Sequence, residues 1–234
     1  MRIDALAFDY DGTLAHQGRV DPATVAALRR AKASGRKLLM VTGRELPQLH
    51  EVFADTAVFD AIVAENGALL WRPEIGERLL GVPPPPGFVE ALEQAGVWPM
   101  SVGRSIVATL RFHEPKVAAV IAALGLDWRI ILNNESLMCL PAGVDKASGL
   151  AAALDALGLD AHRVLGAGDA ENDLAFLEAC GVFAAVANAL PDLKAVADIV
   201  TEGEDGAGIV WLIDQLLDDP DALIADSRQA TPAT

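Results

Sequence analysis

Apolar residues come along this chain in two rhythms. Short apolar runs bounded by turn residues read as buried strands, and stretches with apolar positions three and four apart read as helices. Ile3 to Phe8 is the first run, and it ends in Asp-Tyr-Asp-Gly-Thr, a strand running into a polar loop. Asp21-Pro22 supplies an N-cap with proline at the first helical position, and Val25, Leu28 and the neighbouring alanines keep helical spacing as far as Gly35. Lys37 to Thr42 is a second strand, Glu45 to Ala54 a second helix and Ala61 to Ala64 a third strand. Strands alternating with helices predict an α/β fold, a doubly wound, Rossmann-like parallel sheet with right-handed crossovers and helices on both faces.

After Trp71 the rhythm changes. Gly81-Val82-Pro83-Pro84-Pro85-Pro86-Gly87 reads as a linker, because consecutive prolines join neither a helix interior nor a sheet ladder. Residues 81–140 then read as a small α+β insert: helix Phe88 to Ala95, strand Ser105 to Arg111, helix Glu114 to Leu124, and two short strands, Arg129 to Leu132 and Ser136 to Leu140. From Lys146 the first rhythm resumes, with helices Lys146 to Leu157, Glu171 to Cys180, Leu190 to Ala197 and Gly208 to Leu217, and strands Arg163 to Leu165 and Val182 to Val186. Residues 1–80 and 141–217 are thus expected to form one discontinuous core, and 218–234, polar and proline-containing, a frayed tail.

Composition narrows the partners. The 234 residues are 52% hydrophobic with a formal net charge of -15, an acidic balance that disfavours nucleic acid and anionic membranes. No apolar stretch is long enough to span a bilayer, and Met1-Arg2-Ile3-Asp4 lacks a charged leader followed by an apolar core, so no membrane span or secretory signal is expected. Cys139 and Cys180 are far apart and form no C-x-x-C pair, which predicts buried thiols in a reducing cytoplasm.

Ligands of a doubly wound sheet bind at the carboxyl ends of its strands, and four groups fall there. Asp9 and Asp11, two apart on an extended backbone, point to the same side, and Gly12-Thr13 turns the chain after them. Thr42-Gly43-Arg44 places a hydroxyl and glycine-flanked amides where phosphoryl oxygens can sit. Asp169 and Asp173 stand at a later strand end, and Lys146 opens the helix after the insert. Convergent carboxylates supply the hard oxygen ligands that Mg2+ prefers. Gly166-Ala167-Gly168 begins like a dinucleotide fingerprint, but Glu171 occupies the third glycine position.

Asp9-Tyr10-Asp11-Gly12-Thr13, Thr42, Lys146 and Gly168-Asp169 with Asn172-Asp173 resemble, in order, the four motifs of the haloacid dehalogenase superfamily of phosphohydrolases. The position of the insert resembles the C2 cap of its Cof-like, type IIB branch, as does Glu65-Asn66-Gly67-Ala68. The likeness spans residues 3 to about 215. It implies Asp9 as a nucleophile forming an aspartyl-phosphate, Asp11 as general acid and then base, and Lys146 as the group neutralising nucleophile and phosphate. It further implies phosphate binding by Gly12, Thr42, Gly43 and Asn172, and Mg2+ held by Asp9, the Asp11 carbonyl, Asp169 and Asp173. Ala147 follows the lysine where many relatives have glycine, and the short insert resembles the caps of phosphoglycolate and sugar-phosphate phosphatases.

The expected function is therefore a Mg2+-dependent cytoplasmic phosphatase acting on a small phosphorylated metabolite, of the phosphoglycolate or sugar phosphate class. Alternatives are a phosphomutase of the same branch, a receiver-like signalling domain and a non-catalytic phosphate-binding regulatory protein. Arg44 is the first candidate for contact with substrate, followed by Arg104, Arg111, His113 and Asn133-Asn134 in the insert.

Overall fold

The computed structural model describes residues 2–133 and 135–223. Its larger sheet contains β1 (Ala5–Phe8), β2 (Lys37–Val41), β3 (Ala61–Ala64), β4 (Leu69–Arg72) and β5 (Gly76–Leu79) from the first half of the chain. The second half adds β10 (Val164–Gly168), β11 (Val182–Ala185) and β12 (Ile199–Val200). A separate four-stranded sheet holds β6 (Met100–Val102), β7 (Val107–Leu110), β8 (Trp128–Asn133) and β9 (Ser136–Pro141). The helices are α1 (Pro22–Ala33), α2 (Leu46–Val52), α3 (Phe88–Gln94), α4 (Glu114–Ala123), α5 (Lys146–Leu157), α6 (Leu174–Glu178), α7 (Pro191–Val196) and α8 (Asp205–Asp218).

The large sheet runs β12-β11-β10-β1-β2-β3-β4-β5, parallel from β12 to β3 and antiparallel at β4 and β5. Every side chain of β1, β3, β10 and β11 is buried, which is why these strands read as unbroken apolar runs: helices cover both faces and leave no position for a polar residue. From β1 the chain builds outward to β2 and β3, and from β10 it builds the other way to β11 and β12. The topological switch point therefore lies between β1 and β10, and a ligand crevice opens beyond their carboxyl ends.

The antiparallel pair β4 and β5 is a difference from the parallel alternation expected. Most of β5 is solvent-exposed at the sheet edge, so Glu77 and Arg78 carry no burial signal. β6 and β12 are likewise too short for a period to show, at three and two residues. The helix expected over Glu171 to Cys180 divides into a 3-10 turn, Glu171–Asp173, and the short α6. β10 extends three residues past the Leu165 end of the expected strand, through Gly166 and Gly168. A side chain at Gly166 would meet Cys180 Sγ at 2.8 Å, and one at Gly168 would meet the Asp173 carboxylate at 2.7 Å.

In the four-stranded sheet, order β6-β7-β9-β8, all pairs are antiparallel. It has its own core of Phe88, Leu92, Val97, Val107, Val117, Leu137 and Cys139 under α3 and α4. Ala68, Ile106, Met138 and Leu140 form a smaller apolar cluster between the two sheets. Near the end of the described chain Leu223 is buried against the large core; the rest of the tail expected to fray, from residue 224 on, lies outside the described residues. So does Asn134.

Candidate active site

The switch point brings two strand ends side by side. The amide of Asp9, just after β1, donates to the Ala167 carbonyl of β10 at 3.0 Å, so the first acid of the chain lies beside the Gly168-Asp169 turn. The 3-10 turn after β10 then swings Asp173 back: its Oδ2 accepts from the amides of Asp169 and Ala170, each at 3.0 Å. Carboxylate oxygens of Asp9, Asp169 and Asp173 consequently lie within 4.8 Å of one another.

Lys146 reaches this cluster from the start of α5. A capping box starts α5 in front of it. The Asp145 carboxylate accepts from the Ser148 amide at 2.7 Å, while the Asp145 amide donates to Ser148 Oγ at 2.9 Å. Burial pushes the Asp145 carboxyl up, but Arg129, 2.8 Å away, and the Ser148 bonds outweigh it and hold it below its ordinary value. Lysine at the first position of α5 therefore points inward, only 2% exposed, and Nζ donates to Asp9 Oδ1 at 2.5 Å and Asp173 Oδ1 at 2.6 Å.

The charges do not balance. Three carboxylates share the space with one ammonium. Burial and then repulsion from Asp173 push the Asp9 carboxyl well above its ordinary range, despite the lysine. Asp169 is pushed up to about 7 by burial and by Asp173. Burial disfavours charge on Lys146 as well, but Asp173 and Asp9 outweigh it and hold the ammonium more firmly protonated. An all-oxygen cluster with excess negative charge needs a proton or a hard cation, and the donor set fits a divalent ion such as Mg2+.

The loop after β1 is fixed by contacts far away in sequence. Thr13 Oγ1 donates to Asp169 Oδ1 at 3.2 Å, and Asn188 Nδ2 donates to the Gly12 carbonyl at 2.8 Å. Asn188 is held in turn by Asp205, whose other carboxylate oxygen lies 2.7 Å from His16 Nδ1. Gly12 has φ +83°, and a side chain there would run into the Asp169 carboxylate, so this position requires glycine.

Asp11 goes elsewhere. Its carboxylate, 45% exposed, takes Arg44 Nε at 2.6 Å on one oxygen and Nη2 at 2.7 Å on the other, outside the Asp9, Asp169 and Asp173 group. Arg44 also lies over the Tyr10 ring, 5.3 Å from its centroid, and its hydrogen bonds to Asp11 hold the guanidinium above its ordinary value. Thr42 is buried, and its hydroxyl accepts from the Arg44 amide at 3.1 Å. Asn172 turns from the cluster to donate to Asn66 Oδ1 at 3.2 Å, and its own buried Oδ1 has no hydrogen-bond partner among the described residues.

Asp9, Asp11, Gly43, Arg44 and Lys146 line one cleft of about 210 Å³, and the four-stranded sheet closes it with Ala108, Asn133, Ser136 and Met138. Of the insert residues expected to face the site, only Asn133 lines this cleft among the described residues. Arg104 pairs with Glu77 at 2.8 Å, and His113 Nε2 lies 2.9 Å from the Trp98 carbonyl. Gln48, Ser136 and Met138 line it without having been expected. Met138 sits in an apolar run and gives no sign of facing a site; Gln48 lies on the exposed face of α2.

A family model described as haloacid dehalogenase-like hydrolase matches residues 6–80 and 129–213. The chain belongs to the haloacid dehalogenase-like hydrolase family. It is an enzyme, a phosphoric monoester hydrolase of that family. Among its relatives, the phosphoglycolate phosphatase of Methanothermobacter thermautotrophicus is 32% identical over 219 residues, covering 88% of this chain and 95% of the relative. The fold is also that of a haloacid dehalogenase-like hydrolase from B. subtilis, with a TM-score of 0.77, 18% identity and coverage of 92% and 100% of the two chains. A haloacid dehalogenase subclass IIB sugar phosphatase gives a TM-score of 0.73 at 20% identity, covering 92% of this chain and 98% of its own. No helix among the described residues is long and apolar enough to cross a membrane.

Proposed function

We propose that this hydrolase is a Mg2+-dependent phosphatase of small phosphorylated metabolites, of the phosphoglycolate or sugar phosphate class, working through a phosphoryl group carried on Asp9. The observation that carries this reading is the buried set of Asp9, Asp173 and Lys146 with Asp169 beside it, placed at the switch point of the sheet. Asp9, Asp169 and Asp173, with the Asp11 carbonyl, would hold Mg2+, which when bound supplies the positive charge that lets a carboxylate approach a phosphate dianion. Lys146 fixes the orientation of Asp9 and balances charge on the entering phosphoryl group. Thr42 Oγ1 accepts from the Arg44 amide, which orients the hydroxyl, and in this reading its proton is donated to a phosphoryl oxygen.

In the first step Asp9 attacks phosphorus, the ester bond breaks, and Asp11, released from Arg44 and protonated from solvent before closure, gives that proton to the leaving oxygen. In the second, Asp11 takes a proton from water, which attacks phosphorus and releases phosphate from Asp9. The substrate class is supported by the small cleft, below the roughly 300–1,000 Å³ of sites for drug-sized ligands, and by the phosphatases among the relatives. Residues 81–140 act in this reading as a cap on a core made of 1–80 and 141–217, closing over the substrate to exclude water.

Phosphate release from p-nitrophenyl phosphate, phosphoglycolate and a panel of sugar phosphates tests the proposal. Turnover must require Mg2+, stop on chelation and vanish in Asp9→Asn. Turnover that survives Asp9→Asn refutes it, as does isomerisation of a hexose 1-phosphate without free phosphate.

A further inference from the structure

Glu65 and Asn66 are consecutive non-glycine residues with φ of +52° and +53°, both buried, in a 3-10 turn directly after β3. Such backbone is costly for residues with a side chain and persists only where surrounding contacts determine it. The contacts here run in three directions. The Glu65 and Asn66 amides donate to the carbonyls of Arg44 and Thr42, each at 2.9 Å, which ties the turn to the phosphate-binding loop. The Asn66 side chain accepts from Asn172, beside the acidic cluster. The Glu65 carboxylate leaves the core altogether: Oε1 accepts from the Arg104 amide at 2.9 Å, and Oε2 from the Ser105 and Ile106 amides at 2.8 and 3.1 Å. Those three amides belong to the loop between β6 and β7 of the inserted sheet.

Both connections between core and insert pass the same turn. The Ala68 carbonyl accepts from the Leu80 and Gly81 amides at 2.8 and 3.1 Å, and Ser105 Oγ donates to the Val82 carbonyl at 2.6 Å. On the return, Gly67 (φ +109°) abuts the Asp145 backbone so closely that any side chain would overlap it. The other polar contacts from insert to core are exposed or half-buried: Gln48 Nε2 to Ser101 Oγ at 3.2 Å, Ser101 Oγ to the Glu45 carboxylate, Arg104 with Glu77, and Arg129 with the Val144 carbonyl at 2.6 Å and Asp145 at 2.8 Å; Ala68, Ile106, Met138 and Leu140 add the apolar packing between the sheets. A buried carboxylate taking three amides is costly to separate from them, whereas exposed pairs exchange readily with water.

We propose that Glu65 is a positioning residue, the fixed pivot through which the core sets the inserted sheet over the loop Thr42 to Arg44. The exposed contacts open and close, while the Glu65 bonds to residues 104–106 persist throughout. This rests on the reading of residues 81–140 as a cap that moves.

Hydrogen exchange read by mass spectrometry, with and without Mg2+ and inorganic phosphate, tests it on the full chain. In the wild type, amides 104–106 stay protected in both conditions. In Glu65→Ala they exchange at least about tenfold faster while β1, β2 and β10 keep their protection, and Glu65→Gln, which retains one carboxamide oxygen as acceptor, falls between. The KM for phosphoglycolate rises by about tenfold in Glu65→Ala while kcat changes less than about threefold. Unchanged protection at 104–106 in Glu65→Ala overturns the proposal. So does an equal loss in β1, β2 and β10, the mark of a general stabiliser, or exposure of 104–106 in the wild type on phosphate binding, the mark of a latch that releases. If the wild type hydrolyses no monoester, the phosphatase reading fails, and the exchange data still decide for or against the pivot.

Discussion

Lys146 and the carboxylates around it are each intolerable alone. Removing the lysine leaves Asp9 and Asp173 buried with their mutual repulsion uncompensated. Lys146→Met keeps the volume and removes the charge, so the metal-free protein should lose about 3–5 kcal/mol of stability. Added Mg2+ should restore part of it. Urea denaturation with and without the metal checks this, and a metal-independent loss would contradict the shared-charge account. In the proposed mechanism Asp11 acts differently, giving a proton to the leaving oxygen. Asp11→Asn should slow phosphoglycolate turnover by about 10²–10⁴-fold and p-nitrophenyl phosphate less, because nitrophenolate leaves without a proton. Steady-state kinetics on both esters checks that ordering. At this scale the sequence is most legible where chemistry restricts residue type: acids, a threonine and a lysine at strand ends. It is least legible where a side chain acts at a distance. Nothing near Glu65 reveals that its carboxylate reaches amides about forty residues on, and nothing near Asp205 reveals Asn188 and Gly12.

Elements whose environment is uniform are those the hydrophobic pattern displays. β1, β3, β10 and β11 are buried on both faces and show as apolar runs, and α1 and α8 show helical spacing along one buried stripe. β5 lies exposed at the sheet edge and carries no such pattern. Glycine positions are explained by close approach between elements. Glycine stands at 149 because α5 meets the turn after β3 there: a side chain at 149 would lie 2.6 Å from Gly67 Cα. Gly149→Ala should therefore cost about 1–3 kcal/mol through overpacking, measured by chemical denaturation. A change below about 0.5 kcal/mol would show that α5 can withdraw from the turn.

For the molecule as a whole, the charge of -15 matters less through its sum than through its placement. Asp169, pushed up to about 7, keeps a proton in the folded metal-free protein at pH values where the unfolded chain, with a carboxyl near 4, has lost it. The folded state binds more protons across that window, so stability of the metal-free protein falls as pH rises from about 4 to about 7. A cation that displaces the proton reverses the trend. The rise in melting temperature on adding Mg2+ should accordingly be larger at about pH 8 than at about pH 5.5, and an equal rise at both would place the metal elsewhere. Acidity that repels anions over the surface gathers, at the switch point, into an oxygen donor set that fits a divalent ion, with Lys146 and Arg44 beside it.

In the proposed mechanism the transferred phosphoryl group is carried on Asp9. Acid-quenching the enzyme during turnover of phosphoglycolate with Mg2+, then reducing with borohydride, converts an acyl phosphate into an alcohol at the residue that carried it. Peptide mass spectrometry should find homoserine at position 9. Homoserine at another aspartate, or none at any position while phosphate is released under conditions that trap an acyl phosphate standard, would contradict the account.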